Sequence, residues 1–399
     1  MKVLILSTKL PYPPRDGGAI ATLNLAKGLA MAGIEVSMLS FNTKKHYFDP
    51  RKIPEDICKL IAFHTITNDT SPRPLKAVLN LVFARTPYIS DRFKSKNFTI
   101  KLKELLLSGN FNFVQMEGPY LAGYLPVVRS CSTARISLRA HNVEHEIWER
   151  RWKNESGLVA RIYMKNLAGR IRKLEHRLLG QIDLLISISD RDQAILLSKH
   201  GSLPAITVPT GMDIAAYSFR NPGSARDICF IGALDWSPNQ EGLRWFKGMV
   251  LPHLLEMDPA IIIHIAGRNA PAEFIRELDH PAITCHGEVD DAGKFMQEYG
   301  ILAVPLLTGS GIRIKILEGM AQGICIVTTS IGAEGIPAED GTHLLIGDDG
   351  KIFAEKLYWL LHNEDLAGNI ADAARTLIKE KFDTFAVASD LGNLYKKMA

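Results

Sequence analysis

"KVLILSTKLPYPPRDGGAIATLNLAKGLAMAGIEVSMLS", residues Lys2 to Ser40, decides the fold. Its opening "KVLILS" is an apolar run of strand length. A loop rich in glycine and proline carries the chain to Gly18, "AIATLNLAKGLAMAG" then sets apolar residues at helical spacing and stops at Gly33, and "IEVSMLS" is the next strand. Strand, helix and strand in succession form a βαβ unit, which predicts a parallel sheet with helices on both faces. Further along, "FNFVQME", "ARISLRAHN", "IDLLISIS" and "AITVPTG" are strand-like and separated by helical or loop segments. From Ile228 the pattern restarts, with strands in "ICFIGAL", "AIIIHIAG", "AITCHGE" and "GILAVPLL" and a helix over "NQEGLRWFKGMVLPHLLE".

A chain of 399 residues is about twice the usual domain size, so two doubly wound α/β units in tandem are expected. The join is placed near "TGMDIAAYSFRNPGSARD", residues 210 to 227, where turn formers cluster and the periodicity lapses. No short repeat or low-complexity tract interrupts the pattern. The net charge of +4 favours anionic ligands locally and is too small to argue for nucleic acid. Five cysteines, Cys58, Cys131, Cys229, Cys285 and Cys325, show no CxxC or metal-like spacing, so a reduced, cytoplasmic setting is expected. Val3 to Leu6 is far short of a signal-peptide core, and no run approaches a membrane span.

Open parallel sheets bind ligands at the carboxyl ends of their strands, and two such sheets facing a cleft make the space between them the default site. "ILAVPLL" runs into "TGSG" and then into a helix, a place for phosphate because glycines admit close backbone approach and a helix N-terminus carries partial positive charge. Arg313 is expected in the first turn of that helix. Lys315 and Glu318 share a face, which equally permits a plain surface salt bridge.

"GSGIRIKILEGMAQGICIVTT", residues 309 to 329, resembles the nucleotide-sugar-binding segment of retaining glycosyltransferases of the GT-B fold, in the group 1 (family 4) class. "LPYPPRDGGAIATLNLAKGLAMAGIEV" is similar to that family's N-terminal glycine loop and first helix, "RAHNVEHEIWERR" to its His-bearing loop, "LEHRLLGQIDLLISISDRDQAIL" to its Glu-helix and following strand, and "FIGALDWSPNQEGLRWF" to the start of its second domain. The resemblance implies two Rossmann-like domains: residues 1–210 on the acceptor side, with the last helix, 384–399, packing back on it, and residues 211–383 holding the nucleotide sugar.

The same resemblance implies the site. Glu318 meets the donor ribose hydroxyls, a task suited to a carboxylate that accepts two hydrogen bonds. Ser310 stands where the family has a second glutamate, while the amides of Gly311 and Ile312 meet the sugar. Gly17, Gly18 and Gly232 line the donor, and His141 is a polar group at the transferred sugar. Ala233 stands where an arginine is expected and no lysine lies near Asn239, so Arg313 and Lys315 are the substitutes that stabilise the leaving diphosphate. The donor is a nucleotide diphosphate sugar, no further cofactor and no metal is implied, and the acceptor is a glycan or lipid-linked glycan of cell-surface polysaccharide synthesis.

Other readings stand beside these. Gly17 and Gly18 also suit a simple turn, and His141 a structural role. "DRD" at Asp190 to Asp192 imitates a metal-binding pair but follows a strand and opens a helix, so helix capping explains it better. The basic, partly amphipathic "WERRWKNESGLVARIYMKNLAGRIRKLEHR" suits a solvated face or a peripheral membrane contact at the inner face of the membrane. An epimerase of the same fold and a non-catalytic nucleotide-sugar or glycan binder remain alternatives to transfer.

Overall fold

The computed structural model describes residues 1–84, 86–155, 157–219, 227–309 and 311–399. The chain divides into two compact units, Met1–Met212 with Thr384–Ala399, and Asp213–Asp383.

The first unit holds β1 (Lys2–Ser7), β2 (Glu35–Thr43), β3 (Ile61–Asn68), β4 (Phe113–Glu117), β5 (Arg135–Ala140), β6 (Leu184–Ser187) and β7 (Ala205–Thr207). They form one sheet in the order β3-β2-β1-β4-β5-β6-β7, every neighbouring pair parallel. The order reverses between β1 and β4, where Val3 pairs with Phe113. Because successive side chains alternate across a strand, Leu4 and Leu6 pack with Phe41 and Phe98 on one face. Val3 and Ile5 pack with Leu25 and Leu29 on the other. Both faces are covered, as parallel sheets require.

The helix Thr384–Met398 closes the second of those faces although it comes last in the chain. Tyr395 stacks on Phe113 with ring centroids 4.1 Å apart, donates from Oη to Gln115 Oε1 at 2.7 Å and meets Ser137 Oγ at 2.7 Å. The helix starts where Thr384 N donates to Met212 O at 3.0 Å.

In the second unit β8 (Asp227–Ile231), β9 (Ile263–Ala266), β10 (Ile283–Gly287), β11 (Gly300–Val304), β12 (Cys325–Thr328) and β13 (Leu345–Ile346) form a parallel sheet in the order β10-β9-β8-β11-β12-β13. Phe230, Phe246, Ile263, Ile301, Val327 and Phe353 belong to its main apolar cluster. Two doubly wound, Rossmann-like parallel sheets are therefore the architecture, and the carboxyl ends of β8 and β11 mark the second reversal point.

The helix expected over residues 239–256 differs in detail. It begins earlier, at Ser237 with Pro238 in its first turn, and consists of Ser237–Trp245, a π-helical stretch Phe246–Val250, and Leu251–Met257. Proline presets the backbone at a helix start, whereas Pro252 lacks the N–H that would bond to the carbonyl four residues back, so the ladder shifts register ahead of it.

Candidate active site

The loop after β11 turns on two glycines with left-handed backbones, Gly309 (φ 123) and Gly311 (φ 79), which side-chain-bearing residues rarely tolerate. It leads into the helix Ile314–Gln322, whose N-terminal cap position is Arg313. The side chain at the cap position, Arg313, makes no capping hydrogen bond and no acidic residue occupies the first turn, so this end keeps the partial positive charge of a helix N-terminus.

From this first turn Lys315 extends towards the end of β8. Its Nζ lies 4.3 Å from the centroid of the Phe230 ring and 3.4 Å from Asn239 Oδ1. Gly232 completes the group, since a Cβ there would fall 2.7 Å from Asn239 Nδ2 and 2.8 Å from Lys315 Nζ. The lysine that the sequence lacks near Asn239 is thus present there in space. Burial, followed by the neighbouring Arg313 charge, draws the Lys315 ammonium down to about 7, with Cys229 acting the other way. A half-buried amine of this kind, at a helix N-terminus, is chemically able to receive an anion.

Glu318 does not pair with Lys315. Instead it accepts from Tyr217 Oη at 3.3 Å and borders a cavity of ≈ 470 Å³ lined also by Ser218, Asp290, Lys294, Gln297 and Gln322. Burial raises its carboxyl and the Tyr217 hydroxyl opposes the rise. A carboxylate with one phenol partner keeps acceptor capacity for hydroxyls.

Arg313 stands just outside the helix rather than in its first turn. It is only 6% exposed, and its guanidinium turns back to the carbonyls of Gly311 and, at 3.5 Å, Ile331. It braces the glycine loop and places a positive charge beside Lys315. Ile312, between Gly311 and Arg313, is half-buried. Ser310 lies outside the described residues.

In the first unit, Gly17 and Gly18 open the helix Gly17–Met31, capped by Asp16, which accepts from Ala19 N at 3.0 Å. Lys9 Nζ binds the same carboxylate at 2.5 and 2.6 Å. Burial pushes the Asp16 carboxyl up, but Lys9 and the Ala19 amide outweigh it and the net shift is downward.

His141 follows β5 and is 20% exposed at its side chain, with Nε2 2.6 Å from Glu117 Oε2. Glu117, at the end of β4, also accepts from Thr22 Oγ1 at 3.0 Å and Gln115 Nε2 at 2.5 Å, and lies 3.6 Å from Arg139 Nη1. Burial alone would raise this carboxyl; Arg139, then His141 and Gln115, hold it at about 2. Thr22 therefore links the glycine-led helix to the carboxylate that orients His141. The sequence reading passed over Glu117 and Arg139, although charged residues inside otherwise buried strands are a visible signal.

Beside His141, Tyr120 Oη donates to Glu144 Oε2 at 2.7 Å. Burial, with the nearby Glu175 adding to it, raises the Glu144 carboxyl to about 7 against the hydrogen bonds from Tyr120 and Asn142. Glu175 accepts from the backbone amides of Glu144 and His145, at 2.9 and 3.1 Å, and so caps their helix from a distance. Tyr120 also lines a cavity of ≈ 360 Å³ with Ser90, Lys94, Lys96, Tyr124 and Leu174.

The aspartates of "DRD" are not themselves the cap. Ser189 is, accepting from Asp192 N, while Asp190 accepts from Thr207 Oγ1 at 2.6 Å and Asp192 pairs with Arg191 at 3.1 Å. The shorter serine reaches the third amide, leaving the aspartates in the first turn, where their charge suits the helix dipole.

Residues 225–363 match the family described as Glycosyl transferases group 1, a span that contains Gly232, Arg313, Lys315 and Glu318. The matched stretch lies within the second unit. Along its whole length the chain is similar to an uncharacterized 44.6 kDa protein in the cps region of Klebsiella pneumoniae, 25% identical over 98% of each chain. It is 26% identical to a phosphatidyl-myo-inositol mannosyltransferase of Mycolicibacterium smegmatis over 58% of this chain and 60% of that one. Among solved structures, sucrose-phosphate synthase from Thermosynechococcus elongatus matches with TM-score 0.73 and 16% identity, covering 100% of this chain and 99% of that chain. Anabaena HepE in complex with UDP and glucose matches with TM-score 0.69 and 14% identity over 99% of each. The fold is GT-B. Among the described residues no helix is long and apolar enough to cross a membrane.

Proposed function

We propose that this glycosyltransferase moves a hexosyl group from a nucleoside diphosphate sugar to an acceptor hydroxyl, with retention at the anomeric carbon, in the synthesis of a surface polysaccharide or lipid-linked glycan. The observation that carries the reading is the Lys315 ammonium, half-buried beside Gly232 and Asn239 at a helix N-terminus inside the matched domain. That arrangement suits a diphosphate. Glu318 takes the ribose hydroxyls from its position on the same helix, and Gly311 and Ile312 offer amides to the donor. The UDP and glucose of HepE and the mannosyl group in the mycobacterial relative's name are consistent with such a donor, and the capsule-region relative with such a product.

In the transfer the acceptor oxygen bonds to the anomeric carbon as the bond to the diphosphate oxygen breaks, and the acceptor proton passes to that departing oxygen. Lys315 and Arg313 stabilise the negative charge that grows on the diphosphate. The reaction uses no metal, because these cations and the helix dipole occupy that role. On the first unit, the amides of Gly17 and Gly18 at a helix start and His141, oriented by Glu117, are groups suited to hydrogen-bonding a sugar or phosphate. The cavity beside Tyr120 and Glu144 receives part of the acceptor. The setting is the cytoplasm, at the inner face of the membrane where lipid-linked acceptors lie.

The test starts with thermal shifts over a panel of nucleoside diphosphates and their sugars, since a ligand at 100 times its Kd stabilises by roughly 2.7 kcal/mol. The donor that stabilises is then incubated with candidate acceptors. Nucleoside diphosphate and a new glycoside with the donor's anomeric configuration, seen by NMR, are expected. Nucleoside diphosphate with free epimerised sugar would instead make the protein an epimerase, and binding without turnover a sensor.

A further inference from the structure

The cavity of ≈ 360 Å³ in the first unit contains a polar group that the fold leaves unsatisfied. Ser90 lines it and is only 9% exposed, and its Oγ has no hydrogen-bond partner among the described residues. The other hydroxyls of the lining are engaged. Thr86 Oγ1 donates to Asp91 Oδ1 at 2.9 Å, Thr99 Oγ1 to Ser95 O at 3.1 Å and Tyr124 Oη to Phe93 O at 2.6 Å, while Tyr120 Oη is held by Glu144 and Ser95 Oγ accepts from Phe98 N at 3.4 Å. A buried hydroxyl without a partner destabilises the unliganded fold, and a ligand that accepts from it removes that penalty.

Charge at the cavity favours an anion. The helix Lys96–Gly109 starts there, runs 14 residues and has no acidic residue in its first turn, so the positive end of its dipole faces the ligand space. Lys96 adds an exposed ammonium to the lining. Lys94, also on the wall, is held by Asp91 at 2.5 Å, and Asp91 is further bonded by Asn80 and Thr86, so the acid beside the cavity is already met by three donors. Phe93, Tyr124 and Leu174 make the remaining wall apolar. Tyr120 and Tyr124 belong to the turn after β4, and the helix that returns to β4 begins at the same carboxyl edge of the sheet, where open parallel sheets bind ligands.

We propose that this cavity binds a saccharide carrying an oxyanion, a uronate or a sugar phosphate, with its ring against Phe93, Tyr120 and Tyr124, its anion at the start of the helix beside Lys96, and Ser90 Oγ donating to it. Each part of the ligand answers a part of the wall. A bare inorganic anion would leave the aromatic side uncovered, a neutral sugar would leave Lys96 and the helix end unused, and an alkyl chain would leave Ser90 unsatisfied. That this saccharide is the acceptor rests on the function proposed above; that the cavity binds it does not.

Binding of glucuronate, glucose 6-phosphate, glucose and inorganic phosphate to the full-length protein is measured by saturation-transfer NMR. Glucuronate, glucose 6-phosphate or both should bind at least tenfold more tightly than glucose, and which of them does so identifies the anion. Lys96→Glu should weaken that binding at least tenfold and Ser90→Ala several-fold. Neither change threatens the fold, because Lys96 is exposed and Ser90→Ala removes a hydroxyl that has no partner, so the melting temperature of Ser90→Ala should be no lower than that of the wild type. Glucose binding as tightly as the anionic sugars overturns the proposal, as does binding that both variants leave unchanged. Inorganic phosphate equalling glucose 6-phosphate would reduce the cavity to a bare anion site and also overturn it. Nucleotide affinity of the same proteins separates the two readings: saccharide binding without nucleotide binding removes glycosyl transfer and leaves the cavity, and the converse removes the cavity and leaves the transfer.

Discussion

Lys315 makes the reading quantitative. Its ammonium, drawn down to about 7 by burial and the Arg313 charge, is largely neutral in the unliganded protein at mildly alkaline pH. A diphosphate requires it charged, so binding must take up a proton. With a free-state pKa of about 7, the charged fraction falls about twentyfold between pH 7.5 and 9, or roughly 2 kcal/mol at 1.36 kcal/mol per pH unit. The terminal phosphate of UDP is already ionised across that window, its second pKa lying near ~6. Calorimetric titration of UDP should therefore show affinity falling close to tenfold per pH unit, with proton uptake visible in buffers of different ionisation enthalpy. Lys315→Met should bind weakly and without that slope, and Lys315→Arg should be flat because a guanidinium stays charged. Stability of the unliganded protein should move the other way. A lysine whose folded pKa is depressed binds fewer protons folded than unfolded between about 7 and its usual 10.5, so stability rises over that interval, and Lys315→Met should abolish the rise. A flat wild-type affinity profile, or a slope that persists in Lys315→Met, would refute the assignment of this ammonium to the phosphates.

Glu318→Ala should weaken nucleotide binding by about 1.5 to 3 kcal/mol, the range for a hydrogen bond to a charged group, while Tyr217→Phe has a smaller effect; equal affinities in all three proteins would leave the carboxylate a partner of Tyr217 only. Transfer should proceed in excess EDTA, and activity lost to chelation but restored by Mg²⁺ or Mn²⁺ would show that a cation does what Lys315 and Arg313 are assigned. Glu117→Gln leaves Arg139 buried without its counter-charge and should destabilise the protein by about 3 to 5 kcal/mol in denaturant titration. In the wild type, the stability due to this depressed carboxyl is fully present above about pH 4.5 and is lost as pH falls towards about 2, so Glu117→Gln should flatten acid unfolding in that interval. Arg313→Lys should slow turnover by loosening the Gly309 to Arg313 loop even though the charge is kept, and unchanged turnover at saturating donor would show that the brace to Gly311 is dispensable.

The two sheets were legible because buried parallel strands are short apolar runs, and "KVLILS", "IDLLIS" and "ICFIG" have little else to be. β3 was not. It is an edge strand whose "IAFHTITN" mixes histidine and threonines with apolar residues and is mostly half-exposed, so neither a continuous apolar run nor a clean alternation marks it. The break in the helix around Phe246 to Val250 depends on hydrogen-bond register, which an apolar count does not record. At the site, the glycine loop and the helix that follows it were visible from spacing. The meeting of Lys315 with Asn239 was not, because their closeness comes from β8 and β11 lying side by side in the sheet while far apart in sequence. The inward turn of Arg313 depends on two carbonyls that no residue pattern announces.

The helix Thr384–Met398 sets the order in which a newly made chain can finish folding. Tyr395 covers Phe113 and satisfies Gln115, so the first unit lacks part of its interior until residues from the very end of translation reach it. Tyr395 follows β4 by roughly 280 residues, the second unit among them, which at about 5–20 residues per second leaves that face of β4 uncovered for roughly 15 to 55 s. The second unit, contained in one stretch of sequence, can close on the ribosome during that interval. The first cannot, and a chain cut short before Tyr395 releases an intact second unit attached to a first unit whose sheet is open, a ready client for chaperones and proteases.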